Sequence, residues 1–183
     1  MIEQLTLDLF DYGILQFGRF ADENEIIPIN ISLGLLASYP KLLNDLAGLV
    51  AKQVFPVEKY RLVSPLSSLV VALLVSQKIN VPLVFERQVT KSAVSDFVGA
   101  YDIGHPTCVI WSTEWSKRQD HFMKRGISVG LHIERMIYIV GRTNTHNVIL
   151  PLDTMLEILV AHHRIRVVHQ ANILDWLATK TAL

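Results

Sequence analysis

The chain has 183 residues, and its 17 Lys+Arg are balanced by 17 Asp+Glu, so the formal net charge is zero. General nucleic-acid binding normally carries a basic excess, so no nucleic-acid partner is expected. Half of the residues are hydrophobic and mean hydropathy is +0.32, yet no charge-free apolar stretch approaches the roughly 20 residues of a membrane span.

The richest apolar run, Leu69 to Val75, is closed by Gln77 and Lys78, and Met1-Ile2-Glu3-Gln4 has no basic region ahead of an apolar one. The expectation is one soluble, cytoplasmic domain over residues 1–183 with no membrane contact, able to bury roughly 70% of its unfolded surface. A single cysteine, Cys108, leaves no intrachain disulfide and reads as a small buried hydrophobe.

In chain order, residues 2–17 read as an amphipathic helix with Leu5, Leu9 and Leu15 among its apolar positions. Residues 26–34 read as extended, with β-branched residues around Pro28. Ser38 is expected to cap a helix with Pro40 in its first turn, running on through Leu42 to Val54. A strand over Tyr60–Ser64, a helix over Leu66–Gln77 and a strand over Val81–Phe85 follow.

Residues 87–105 read as a loop longer than the roughly 12–15 residues of a structureless connection, which points to a functional or mobile segment. A strand over Thr107–Trp111 and a helix over 117–125 come next. Met136–Val140 is a continuous apolar run suited to a strand buried on both faces, and Val148–Leu150 is another short strand. Asp153 or Thr154 is expected to cap a helix through about His162. Ile165–Val168 reads as extended, and Ala171–Ala178 as a closing helix. Strand–helix alternation with short apolar strands predicts an α/β fold, a mainly parallel central sheet flanked by helices.

Residues 107–119 (Thr-Cys-Val-Ile-Trp-Ser-Thr-Glu-Trp-Ser-Lys-Arg-Gln) take an apolar strand into a polar turn and a helix. In α/β proteins such a junction is where ligands usually sit. A phosphate site there would use glycines, whose backbone N–H groups can close on the oxygens, and acidic residues for a metal or sugar hydroxyls. This junction has Trp111, Trp115, Lys117 and Arg118, and no glycine. Lys117 and Arg118 at a helix start oppose the helix dipole and read as an exposed turn, while Trp111 and Trp115 read as space-filling. His162 and His163, about 100° apart on a helix, make a poor chelating pair, so no metal site is expected. No Gly-x-Ser-x-Gly elbow is present for a serine nucleophile.

Leu9-Phe10-Asp11-Tyr12-Gly13-Ile14-Leu15-Gln16-Phe17-Gly18-Arg19-Phe20, an apolar helix followed by Phe-Gly-x-Phe, resembles the opening of orotate phosphoribosyltransferases. Leu35-Leu36-Ala37-Ser38-Tyr39-Pro40 is similar to the family's next helix start, and Val63-Ser64-Pro65-Leu66-Ser67 occupies the place of its pyrophosphate loop. The match runs without a gap from Pro65 through Pro82 to Arg87 and Lys91. It implies a type I phosphoribosyltransferase fold with a small N-terminal hood within residues 1–36, usually assembled as a homodimer.

The resemblance also implies transfer of phosphoribose from phosphoribosyl pyrophosphate to orotate with Mg2+, in pyrimidine metabolism. Several positions depart from what that chemistry needs. Trp111 and Ser112 stand where the family has paired carboxylates, and Ser116, Lys117, Arg118 and Gln119 replace its glycine-containing phosphate turn. Val63 and Ser67 replace the glycines of the pyrophosphate loop, where a β-carbon obstructs close ligand approach. The catalytic loop keeps Arg87 and Lys91 but has Gln88 for a cation and Ala93 for a histidine. Asp22 or Glu23 falls where an orotate-binding Lys is expected, and Ser32 and Gly34 replace an Asn and an Arg. Arg142, after Met136–Val140, matches a base-binding arginine.

The expectation is therefore a degenerate, non-catalytic member without cofactor, binding a nucleotide or phosphorylated metabolite or pairing with a true enzyme as an interaction subunit. Arg87, Lys91 and Arg142 are its candidate anion site. The alternative is an active, Mg2+-dependent transferase with a rearranged site, in which Lys91 is catalytic.

Overall fold

The computed structural model describes residues 1–22, 25–87, 97–142 and 147–179. The first helix, α1 (Ile2–Asp11), is shorter than the expected 2–17. Gly13 stops it: at φ +71° it takes a left-handed turn, with Gly13 N donating to Phe10 O and Ile14 N to Leu9 O, both at 2.9 Å. This double closure is a Schellman end, which glycine favours because it has no β-carbon to strain. The chain then reverses into β1 (Leu15–Asp22), which pairs antiparallel with β2 (Glu25–Ile31) as a two-stranded hood.

A 3-10 turn at Leu33–Ser38 leads into α2 (Pro40–Gln53). Pro40 opens this helix as expected, its missing N–H costing nothing there. Ser38 does not cap it: it ends the preceding turn, and the N-cap, Tyr39, makes no side-chain cap bond. Next come β3 (Arg61–Ser64), a 3-10 turn at Leu66–Ser68, α3 (Leu69–Ile79) and β4 (Leu83–Glu86).

Within the expected 87–105 loop a short edge strand, β5 (Phe97–Val98), pairs antiparallel with β4. Residues 88–96 lie outside the described residues. The chain continues through β6 (Pro106–Thr113), α4 (Gln119–Ser128), β7 (His132–Gly141), β8 (Val148–Pro151) and α5 (Leu152–Ala161) to α6 (Val167–Thr179). Asp153 lies inside α5, where its carboxylate accepts the Thr154 N–H at 2.8 Å; Pro151 is the N-cap. The extended stretch expected over Ile165–Val168 is absent from Val167 onward. Burial of Ile173 and Leu177, four residues apart on one helical face, outweighs the weak strand preference of Val167 and Val168.

The main sheet runs β5-β4-β3-β6-β7-β8, parallel throughout except for β5. Alternation along the strands sends Leu62, Cys108, Ile110, Ile137 and Ile139 to one face and Val63, Val109 and Trp111 to the other. The first face packs with α1, α2, α3 and α5 in the larger core. The second packs with Phe97, Phe122 of α4 and Leu131. Among the described residues no helix is long and apolar enough to cross a membrane.

Candidate functional site

From β3 the chain crosses to β4 on one side, and then returns past β3 to place β6 on the other. The carboxyl ends of β3 and β6 therefore flank the switch point, where the diverging connections leave a crevice for ligands. One rim is Pro65–Ser68 and the other is the 112–118 turn. Hydroxyls stitch the rims together. Ser68 Oγ donates to Ile110 O at 2.7 Å, Ser67 Oγ and Ser112 Oγ share a bond at 3.2 Å, and Ser64 Oγ donates to Pro65 O at 2.8 Å. Ser64 and Ser68 also meet at 3.1 Å. In this corner the hydroxyls serve the scaffold, and Val63 is fully buried behind them.

Two cavities open here, and Ser112 and Ser116 line both. The corner cavity, about 100 Å³, lies between Pro65, Ser67, Glu86, Trp111, Arg118 and His121. Trp111 is only 2% exposed and stands edge-on to Phe122 (4.9 Å, 75°), which in turn meets Phe97 at 5.4 Å. Its Nε1 is buried with no hydrogen-bond acceptor among the described residues. Glu86, the one carboxylate lining the corner among the described residues, is held by Arg125 at 2.7 Å.

The second, the hood cavity, is about 220 Å³. It lies between Phe20, Ile27, Ile29 and Asn30 of the hood and the β6 turn at Ser112, Thr113, Trp115 and Ser116. Among the described residues no charged side chain lines it. The turn is fastened to its surroundings. Lys117 pairs with Glu25 of β2 at 2.6 Å, Trp176 Nε1 of α6 donates to the same carboxylate at 3.4 Å, and Trp115 meets Trp176 edge-on at 5.8 Å. Lys117 thus joins turn to hood, and Trp115 packs against α6 while lining the cavity.

The expected anion residues do not meet among the described residues. Arg142 follows β7 and is engaged by Glu114: the Arg142 N–H donates to Oε2 at 2.8 Å and Nη2 reaches Oε1 at 3.4 Å. Gly141 permits this, because a β-carbon there would come within 2.9 Å of the Glu114 carboxylate and 2.8 Å of Val148. Arg87 follows β4, three strand positions from β7, or about 14 Å at the spacing of paired strands. Lys91 lies outside the described residues, as does Glu23, and nothing is described of the Asp22 side chain. Ser32 Oγ accepts from Asn30 Nδ2 at 3.2 Å.

Sequence reasoning missed Glu25, Asn30, Glu86 and Glu114. Each owes its role to a partner far away in the chain, and only Glu114, within the singled-out 107–119 segment, carried a local signal. Below the site, burial pushes the Cys108 thiol up to about 12, with the Arg135 charge opposing. Burial likewise raises the Tyr138 phenol; the hydrogen bond from Gln119 opposes this and the nearby Glu114 charge reinforces it.

No family model matches the chain, and no curated protein matches it significantly. Solved structures do. UMP synthase from Leishmania donovani superposes with a TM-score of 0.83 at 21% identity, over 97% of this chain and 42% of that one. The chain therefore spans less than half of that protein. Orotate phosphoribosyltransferase from Francisella tularensis matches at TM-score 0.62 and 14% identity, over 96% of this chain and 98% of that chain. Adenine phosphoribosyl transferase from Trypanosoma brucei, solved in complex with AMP, pyrophosphate and ribose-5-phosphate, matches at 0.56 and 11%, over 89% and 75%. The fold is that of the type I phosphoribosyltransferases, with orotate phosphoribosyltransferases among the neighbours.

Proposed function

We propose that this phosphoribosyltransferase-like protein has given up phosphoribosyl transfer and serves as a binding subunit for a nucleotide-like or phosphorylated small molecule. The observation that carries the reading is the corner after β6. Trp111 and Ser112 stand where the resemblance requires two carboxylates, and Trp111 is packed into the core beneath. Glu86, the one acid lining either cavity among the described residues, pairs with Arg125. A diphosphate with Mg2+ has no anionic ligand set here among the described residues. Each lost charge-assisted hydrogen bond is worth about 1.5–3 kcal/mol, and three at about 2 kcal/mol slow turnover roughly 10⁴-fold.

The test is pyrophosphate release from phosphoribosyl pyrophosphate across the common nucleobases with Mg2+. No turnover above background is expected, together with a raised melting temperature for at least one nucleotide, base or phosphorylated sugar. Mg2+-dependent turnover lost on Lys91→Ala would establish the alternative, a transferase working through Arg87, Lys91 and Arg142.

The same reading makes the protein a cytoplasmic homodimer or a partner of an active enzyme. It is supported by α3, which is apolar around its circumference and leaves Leu73 half exposed, with Leu66 and Leu35 also exposed on adjoining segments. Size-exclusion chromatography with light scattering reads the oligomeric state directly.

A further inference from the structure

We infer that a groove between α6 and strand β1 docks an acidic segment of a partner protein, one that also carries apolar side chains. Two cavities that share His169 form the groove. The larger, about 490 Å³, lies at the turn from α5 to α6, where His163, Arg164 and Arg166 stand among Val160, Ile165 and Val167. The other, about 220 Å³, continues along α6 to Ile173 and faces Phe17, Arg19 and Pro28 of the hood. Neither shares a lining residue with the hood cavity or the corner cavity. The inference therefore goes beyond the ligand-binding reading and stands or falls separately from it.

The charge is one-sided. His162-His163-Arg164-Ile165-Arg166-Val167-Val168-His169 holds five basic residues, three of them among the chain's seven histidines, and no acid, in a chain of zero net charge. Helix α1 already brings carboxylates to one side of this turn: Glu3 meets His162 at 2.8 Å and Asp11 accepts from Arg164 at 2.7 Å. Among the described residues Arg19, His163, Arg166 and His169 have no ion-pair partner. Glu157 and Asp175, the nearest acids in sequence on α5 and α6, line neither cavity. Helix α6 starts at Val167, where clustered cations oppose the positive end of its dipole. An acidic occupant relieves that opposition.

The walls favour a peptide over a small anion. Arg19, His163, Arg166 and His169 are all exposed, and a single contact to so open a charge is worth little. A small anion collects few of them. An extended segment can set several acids along the groove and lay apolar side chains against Phe17, Pro28 and Val160 in the same stroke. Val167 and Val168, 66% and 57% exposed, add apolar surface beside the cations.

The test is fluorescence anisotropy of a labelled decapeptide of Glu and Leu titrated with the full chain at low salt. Two control peptides replace every Glu by Gln, or every Leu by Ser. The Glu/Leu peptide should bind, and each control at least tenfold more weakly. Arg166→Glu and Arg19→Glu should each weaken the Glu/Leu peptide at least tenfold, and Lys78→Glu, the same charge change on α3, at most twofold. Arg166→Glu should keep the wild-type melting temperature, because the site is exposed and an acid suits a helix start. Equal losses in Arg166→Glu and Lys78→Glu, or undiminished binding of the Ser control, report plain charge attraction and overturn the inference. So does tripolyphosphate binding more tightly than the peptide, which makes the occupant a small anion. A wild-type dimer that Arg166→Glu splits puts a second copy in the groove and also overturns it. If the peptide fails to bind while nucleotides raise the melting temperature, this inference falls and the ligand-binding reading stands.

Discussion

The two cavities share the Ser112–Ser116 turn but have opposite characters. The hood cavity is the larger, uncharged along its described walls, and roofed by a two-stranded hairpin. The corner cavity is less than half its volume, lies over a packed tryptophan, and has Arg118, His121 and the Glu86–Arg125 pair at its edges. In a transferase the base and the phosphates must be held together across such a turn, since reaction depends on the two centres meeting in one geometry. Here the hood side is open and the corner side is filled by Trp111. The difference teaches that two cavities sharing one turn can take opposite characters, one from a hairpin roof and the other from a packed aromatic.

The most severe way to break this comparison is to empty the corner. Trp111→Ala removes a side chain that is 2% exposed and packed edge-on against Phe122, so a loss of about 3–5 kcal/mol is expected, read by chemical denaturation. A loss below about 1 kcal/mol would mean that Trp111 occupies a vacated ligand site and not the core. Next in size is Glu86→Ala, which removes the carboxylate 2.7 Å from Arg125 in a setting where both side chains are at most 15% exposed. Breaking such a pair costs about 3 kcal/mol. Glu86→Gln should recover part of that stability by keeping a hydrogen bond, and the same denaturation series shows whether it does.

Much of the scaffold was legible in the sequence, and most of the site was not. The strands around Val63, Val109 and Ile139 announce themselves because both faces of a parallel sheet are covered, so their apolar runs are unbroken. The residue types at Trp111 and Ser112 are equally visible, since reading them needs only one short segment. The first strand of the hood escaped detection because Leu5, Leu9 and Leu15 continue a helical spacing straight through Gly13, whose left-handed turn ends the helix. At Val167 a local strand preference was overridden by the distant contacts of Ile173 and Leu177. Glu25–Lys117, Glu86–Arg125 and Glu114–Arg142 join residues 28 to 92 positions apart, and no local pattern encodes such pairings.

Smaller effects probe the strand beneath both cavities. Cys108 of β6 faces the larger core, with its thiol raised from 9 to about 12. The native state therefore holds this proton where the unfolded chain releases it. The resulting stability is intact below pH 9 and is lost as pH rises toward 12, at up to about 1.4 kcal/mol per pH unit. The raised Tyr138 phenol acts in the same sense at higher pH. Melting temperatures between pH 8 and 10.5 should fall in the wild type and fall less steeply in Cys108→Ala. Equal slopes would assign the alkaline loss to other groups.

The finest test concerns what separates the hood from the corner, the Glu25–Lys117 pair. Lys117 is 51% exposed, and pairs so open to solvent contribute under about 1 kcal/mol. Lys117→Met should therefore leave global stability nearly unchanged. Its effect should be local, because Glu25 also receives the Trp176 N–H, and Trp176 braces Trp115 in the hood cavity wall. Hydrogen exchange at β2 and α6 should accelerate in the variant, while exchange in β3 and β6 stays at the wild-type rate. Faster exchange in all four would mean that the pair supports the whole sheet. Unchanged exchange at β2 and α6 would mean that apolar packing of Ile29 and Ile173 holds the hood by itself. The contrast between a fastened hood and a filled corner would then owe nothing to charge.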